Sequence, residues 1–254
     1  MDAVLAALPI PPDQLLPALA GVTAAYVVFG LAGFGTALVA GPVLAHWWPL
    51  ATIVPLLALL DCAAAALGLL RDGRQAERGE LRRLVPWMAL GSLGGAALLL
   101  AGRPQALLLA LGVFAAGHAC YQLLVRRPQR RFGPGAALPF GLVGGLCSAL
   151  FGSGGFLYAI YLSGRVAEPT RQRVTQSALI GLSTLTRLVL FALAGVYAQR
   201  GVLVLAACLL PAMLLGSAIG RRLVLGMPRE RFLRLVHLVV LGSGLSLLAR
   251  YAAG

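Results

Sequence analysis

Two charged side chains, Asp61 and Arg187, sit deep inside apolar runs of this chain. A charge in such surroundings is costly, so it marks an ion pair, a proton carrier or an ion site. Arginine there attracts an anion, and aspartate there either pairs with it or carries a proton. At 1.5 Å per helical residue, Asp61 lies about 16 Å and Arg187 about 14 Å inside the same face of the apolar layer, under the topology argued below. The two can therefore meet.

Two glycine clusters offer a second kind of chemistry. GLAGFGTALVAGP contains Gly33, Gly35 and Thr36, and LFGSGGFLYAIYL contains Gly152, Ser153, Gly154 and Gly155. Glycines let a chain turn sharply and let other backbones approach. A half-helix that starts at such a turn points unpaired N–H groups and the positive end of its dipole into the apolar layer. That arrangement binds an anion without a charged side chain, and Thr36 and Ser153 add hydroxyl donors. The competing reading is close helix packing through small residues. The run VTQSALIGLSTLTR, residues 174–187, is polar for a spanning helix. Near its start, Gln176 and Ser177 lead into the helix beside the second glycine cluster and are candidates for lining a route. Ser183, Thr184 and Thr186 are better explained as partners for neighbouring helices.

Other chemistry is poorly represented. His46 adjoins Trp47 and Trp48 and reads as an interfacial belt residue. His118 and His237 lack a second ligand at helical spacing, so no metal site is expected. Cys62, Cys120, Cys147 and Cys208 are isolated within apolar runs and suit packing. There is no GxxxxGK[ST], GxSxG or HExxH pattern, so no cofactor, no catalytic residue and no enzymatic activity is expected.

The elements that position these residues follow from composition. Of 254 residues, 59% are hydrophobic and 11% charged, with a mean hydropathy of +0.88. A soluble domain of this size cannot bury that much apolar surface. The long apolar runs call for an all-α polytopic membrane protein in a lipid bilayer. The net charge of +13 arises from arginine alone. Those arginines cluster in short loops, which reads as topology and not as nucleic-acid binding. The N-terminal MDAVLAALPIPPD has no basic region, so no cleaved signal is expected.

Eight apolar segments can be marked: 14–48, 50–70, 84–101, 105–125, 136–163, 174–196, 201–220 and 232–249. Six fit the roughly 20 residues of one crossing. Segments 14–48 and 136–163 are longer and are broken by the glycine clusters. The breaks correspond: Gly33-x-Gly35 matches Gly152-x-Gly154 at an offset of 119, and GSLGG at 91–95 matches GSAIG at 216–220 at an offset of 125. The chain therefore reads as two repeats, 1–128 and 129–254. The first holds the hairpin 14–48 and helices 50–70, 84–101 and 105–125. The second holds the hairpin 136–163 and helices 174–196, 201–220 and 232–249.

Arginine placement selects the topology. If every segment crosses once, the loop arginines divide 11 to 9 between the two sides. If each broken segment is a re-entrant hairpin, they divide 17 to 3. The excess of positive charge in cytoplasmic loops favours the second arrangement. Each repeat then has three crossings plus a broken, re-entrant helical hairpin, and the second repeat is inverted relative to the first, as in many secondary carriers. Both termini are expected to face away from the cytoplasm of a bacterial inner membrane.

The run GFGTALVAGP and its partner FGSGGFLYAIY resemble the two glycine signatures of the TauE/SafE sulfite exporter family. The two four-segment halves and the short basic loops resemble that family as well, over about residues 14–250. Gly33, Gly35 and Pro42 match the first signature, and Gly152, Gly154 and Gly155 the second. Tyr161 stands where the second signature often has proline. The resemblance implies an inner-membrane secondary carrier for sulfite, sulfonates such as sulfoacetate or other small compounds, with export driven by a proton gradient.

The expected function is a secondary transporter of small anions working by alternating access. The substrate would be held by the hairpin tips and Arg187, with protons as coupling partner at Asp61. Two other readings stay open: a passive channel for the same anions, and an accessory membrane protein in which Asp61 and Arg187 only lock helices together.

Overall fold

Helices form wherever the apolar runs are long, because a backbone in hydrocarbon must satisfy its own hydrogen bonds. The computed structural model describes residues 12–32, 36–72, 76–124, 132–198 and 200–223, with 238, 240–242, 244–249 and 251–252. No strand occurs among them. The helices are α1 (Pro12–Ala32), α2 (Thr36–Leu44), α3 (Leu50–Asp72), α4 (Arg78–Ala101), α5 (Pro104–Leu124), α6 (Ala137–Phe151), α7 (Gly155–Ser163), α8 (Pro169–Leu193) and α9 (Arg200–Leu223). Further helical residues follow between 240 and 252. Gly33, Gly35 and His237, the linker 125–131 and part of segment 232–249 lie outside the described residues.

Among the described residues, five stretches are long and apolar enough to cross a membrane: Arg78–Ala101, Pro104–Tyr121, Pro134–Phe151, Val174–Leu193 and Gly201–Gly220. Their outer faces carry exposed leucines, including Leu90, Leu93 and Leu98 on α4 and Leu210, Leu214 and Leu215 on α9. That surface suits hydrocarbon and would be untenable in water. The protein is a multi-pass, all-helical membrane protein.

Both broken segments fold back on themselves. A methyl group added to Gly21 on α1 would sit 3.0 Å from Val43 on α2, so the two arms, α1 and α2, pack on each other. In the second segment, a Cβ on Gly144 of α6 would collide with the Tyr158 ring on α7. With nine residues each, α2 and α7 are too short to cross alone. The second reversal depends on Gly152, the residue that ends α6 in the left-handed region at φ 63°. Its N–H caps the Ser148 carbonyl at 2.8 Å, a geometry glycine adopts without steric penalty.

Helices from one half pack most closely on the hairpin of the other half. On α4, a Cβ at Gly91 would collide with the Leu142 carbonyl of α6, and one at Gly95 would come within 2.6 Å of the Leu146 carbonyl. On α9, a Cβ at Gly216 would collide with the Thr23 carbonyl of α1, and one at Gly220 would come within 2.5 Å of the Val27 carbonyl. Leu142 and Leu146 lie 119 residues after Thr23 and Val27, while Gly216 and Gly220 lie 125 after Gly91 and Gly95. The two interfaces are thus built from corresponding residues. Backbone-to-backbone approach through small residues is the main source of helix association where lipid competes for apolar contact.

Candidate functional site

Between these two tightly packed pairs run α3 and α8, which carry the buried charges. Asp61 and Arg187 form an ion pair at 3.3 Å, their side chains 5% and 3% exposed. In low dielectric such a pair persists only when its remaining polar atoms are also satisfied. The carboxylate meets that condition. Tyr26 on α1 donates to Oδ1 at 2.8 Å, and Thr36, the first residue of α2, donates to Oδ2 at 3.2 Å. Arg187 Nη2 donates to Oδ2 at 3.3 Å.

The guanidinium is different. Its Nη2 also donates to Thr184 Oγ1 at 3.2 Å, but Nε and Nη1 have no partner among the described residues, although both are fully buried. Nη1 faces the hairpin tip, where a Cβ on Gly152 would lie 3.2 Å from it. Unpaired cationic N–H groups out of water carry a large desolvation penalty. An anion that accepted from these N–H groups would relieve the penalty.

A cavity opens beside that free edge. Its polar wall is formed by Arg187, Asp61, Thr36, Thr184, Ser148 and Ser183. Ser148 and Ser183 share a hydrogen bond of 2.6 Å, in which either oxygen can donate. Two helix starts line the same space, at Thr36 of α2 and Gly155 of α7, and these residues are 119 apart, the offset of the glycine clusters. Phe29, Ile180 and Tyr158 close the apolar side. The free space is about 10 Å³, roughly the room one water molecule needs. The site is closed around its polar groups in this conformation.

The family profile for sulfite exporter TauE/SafE matches residues 18–247. The chain belongs to this family. No curated protein and no solved structure matches it. TauE/SafE proteins are a family of membrane transporters and not of enzymes, and the family's substrates are sulfur anions.

Within this TauE/SafE chain, five residues singled out by sequence come together at the cavity: Thr36, Asp61, Gly152, Gly155 and Arg187. Ser153 turns away and donates to the Phe151 carbonyl at 3.1 Å. Gly154 packs against the Gly144 backbone and Ser148. Gln176 and Ser177 lie on α8 nearer its start, and Ser177 is exposed. Gln176 is eleven residues from Arg187, about three turns along nearly the same face. Four contributors were not among the sequence candidates: Tyr26, Ser148, Ser183 and Thr184. Tyr26 had no signal, since an aromatic in an apolar run reads as packing. The hydroxyls on α8 had one, because Ser183 and Thr184 stand four and three residues before Arg187, on its own helix face.

Proposed function

We propose that this protein is a secondary carrier of small anions, sulfur oxyanions or organosulfonates, which bind at the Arg187 cavity. The supporting observation is the buried Arg187 guanidinium with Nε and Nη1 unpaired beside a cavity of hydroxyls and helix starts. The two interfaces of corresponding residues support a chain of two inverted repeats, 1–128 and 129–254, each with a re-entrant hairpin, in a bacterial inner membrane with both termini outside the cytoplasm.

An incoming anion takes over the free edge of Arg187, with hydroxyls from Thr36, Ser148 and Ser183 and the N–H groups at the hairpin tips completing its shell. Asp61 holds Arg187 in place in the empty state. Once the anion neutralises the cation, a proton on Asp61 restores neutrality in the cavity, and this couples anion movement to a proton gradient. A space closed to about 10 Å³ fits an occluded carrier and not an open channel, which needs a continuous wet path.

Vesicles reconstituted with the protein and loaded with sulfite test this. Uptake of labelled sulfite is expected to saturate and to accelerate when unlabelled sulfite is present on the far side. Replacing Ser148 with alanine is expected to weaken half-saturation about threefold to tenfold, the range for one lost hydrogen bond. Uptake linear in concentration, indifferent to sulfite on the far side, would contradict a carrier.

A further inference from the structure

The cavity is sealed from the arginine-rich end by two distinct layers. The face of α8 that carries Arg187 continues through Ser183 and Ile180 to Gln176. Next to it lies a separate buried apolar cluster that includes Met88, Tyr158, Leu162 and Leu179. Beyond that cluster a vestibule of about 280 Å³ opens at the end of the molecule, lined by Glu77, Glu80, Arg165, Glu168 and Arg171.

Two ionic networks line this vestibule, and they join different elements. Glu80 on α4 accepts from Tyr161 at 2.6 Å and from Arg165 Nη2 at 2.7 Å. Arg165 Nη1 also reaches the Phe132 carbonyl at 3.1 Å. These residues belong to α4 and to the second hairpin with its flanks, which are already locked backbone to backbone. This network braces one rigid unit. The second network crosses between units. Arg171 Nη1 at the start of α8 pairs with Glu77 at 2.9 Å. The Glu77 backbone N–H donates to the fully buried Thr175 at 2.9 Å. Arg171 also pairs with Glu168 at 2.7 Å, within its own helix start.

We infer that anions leave the cavity toward the arginine-rich face by separation of the first turns of α8 from α4, and that the Glu77–Arg171 pair with the Glu77–Thr175 hydrogen bond is the latch that holds this route shut. The inference rests on the Arg187 cavity being the anion site. The Glu77 carboxylate has no counterpart in the other repeat: its repeat-equivalent position is Val202, which cannot form an ion pair.

The test places a reporter cysteine in the cavity wall by Ile180→Cys. A charged thiol reagent is added to one side of reconstituted vesicles, and labelling is read peptide by peptide by mass spectrometry. Gly79→Cys, an exposed position at the start of α4, identifies the arginine-rich face. From that face Glu77→Gln is expected to speed labelling of the reporter about twofold to fivefold, the range for an exposed ion pair. Thr175→Val leaves a backbone N–H unpaired and is expected to speed it roughly fivefold or more. Glu168→Gln leaves the crossing contacts in place and is expected to change nothing. As a second readout, Glu77→Gln alone, with no reporter, is expected to increase hydrogen exchange in the first turns of α8. Equal rates in Glu77→Gln and Glu168→Gln, no acceleration in either latch variant, or acceleration from the opposite face would each overturn the latch. Labelling reports the route whether or not an anion binds, so a failure of the anion site leaves this result standing.

Discussion

Asp61→Asn is expected to destabilise this protein more than Arg187→Gln does, and combining them is expected to recover much of the loss. Each single change leaves an uncompensated buried charge, which costs about 3–5 kcal/mol when a buried pair is broken. The two charges left behind differ. A carboxylate sheds its charge by taking a proton, whereas a guanidinium keeps its charge at any accessible pH. Arg187 stranded without Asp61 therefore bears the full penalty, while Asp61 stranded without Arg187 escapes part of it. The Arg187→Gln loss should shrink as the pH is lowered, since protonation relieves it, and the Asp61→Asn loss should not. In the double variant neither charge remains, and Tyr26 and Thr36 still have an amide to bond. A coupling energy of about 2 kcal/mol or more is expected from the double-mutant cycle, read by thermal unfolding in detergent. Additive losses would mean that the 3.3 Å contact carries little energy.

The second large effect concerns the two corresponding interfaces. Gly91→Ala and Gly216→Ala are expected to lower stability by similar amounts, each about 1–3 kcal/mol, the cost of overfilling a packed core. In both cases the new methyl meets a backbone carbonyl, of Leu142 or of Thr23. A carbonyl within a helix cannot swing aside as a side chain does, so the helices must move apart. Gly94→Ala, on the same helix with open space around it, is the control and should be neutral or slightly stabilising, because alanine is the better helix former. Thermal unfolding of the three variants checks this. A tolerated alanine at Gly91 together with a damaging one at Gly216 would show that the halves are not built alike.

Much of this was legible in the sequence because lipid makes strong demands. Asp61 and Arg187 stood out as charges in apolar runs, and the structure brings them together at 3.3 Å. The glycine cluster at 152–155 signalled a reversal, which Gly152 supplies with a positive φ. What sequence could not show was which small polar groups face the cavity. Ser153 is at the hairpin tip, yet it is consumed by the Phe151 carbonyl, while Ser148, one turn back inside α6, faces Ser183. That difference is set by helix rotation, which a residue's position in the run does not encode. Tyr26 reaches Asp61 across 35 residues of chain, a contact created only when the first hairpin docks on α3. Gln176 and Ser177 have the right chemistry for a route, but sit about three turns from Arg187 toward the arginine-rich end.

The free edge of Arg187 as an anion site is the central claim. The measurement is thermal unfolding of the purified protein against sulfite, sulfate, thiosulfate, sulfoacetate, taurine and short carboxylates. The parent is compared with the Asp61→Asn/Arg187→Gln double variant, which is expected to keep its fold without the charges. A ligand at 100 times its dissociation constant adds about 2.7 kcal/mol. A selective rise in unfolding temperature is expected with one or more sulfur anions for the parent and none for the double variant. An equal rise in both would place the anion elsewhere, and no rise in the well-folded parent with any of these anions would contradict an anion site at Arg187.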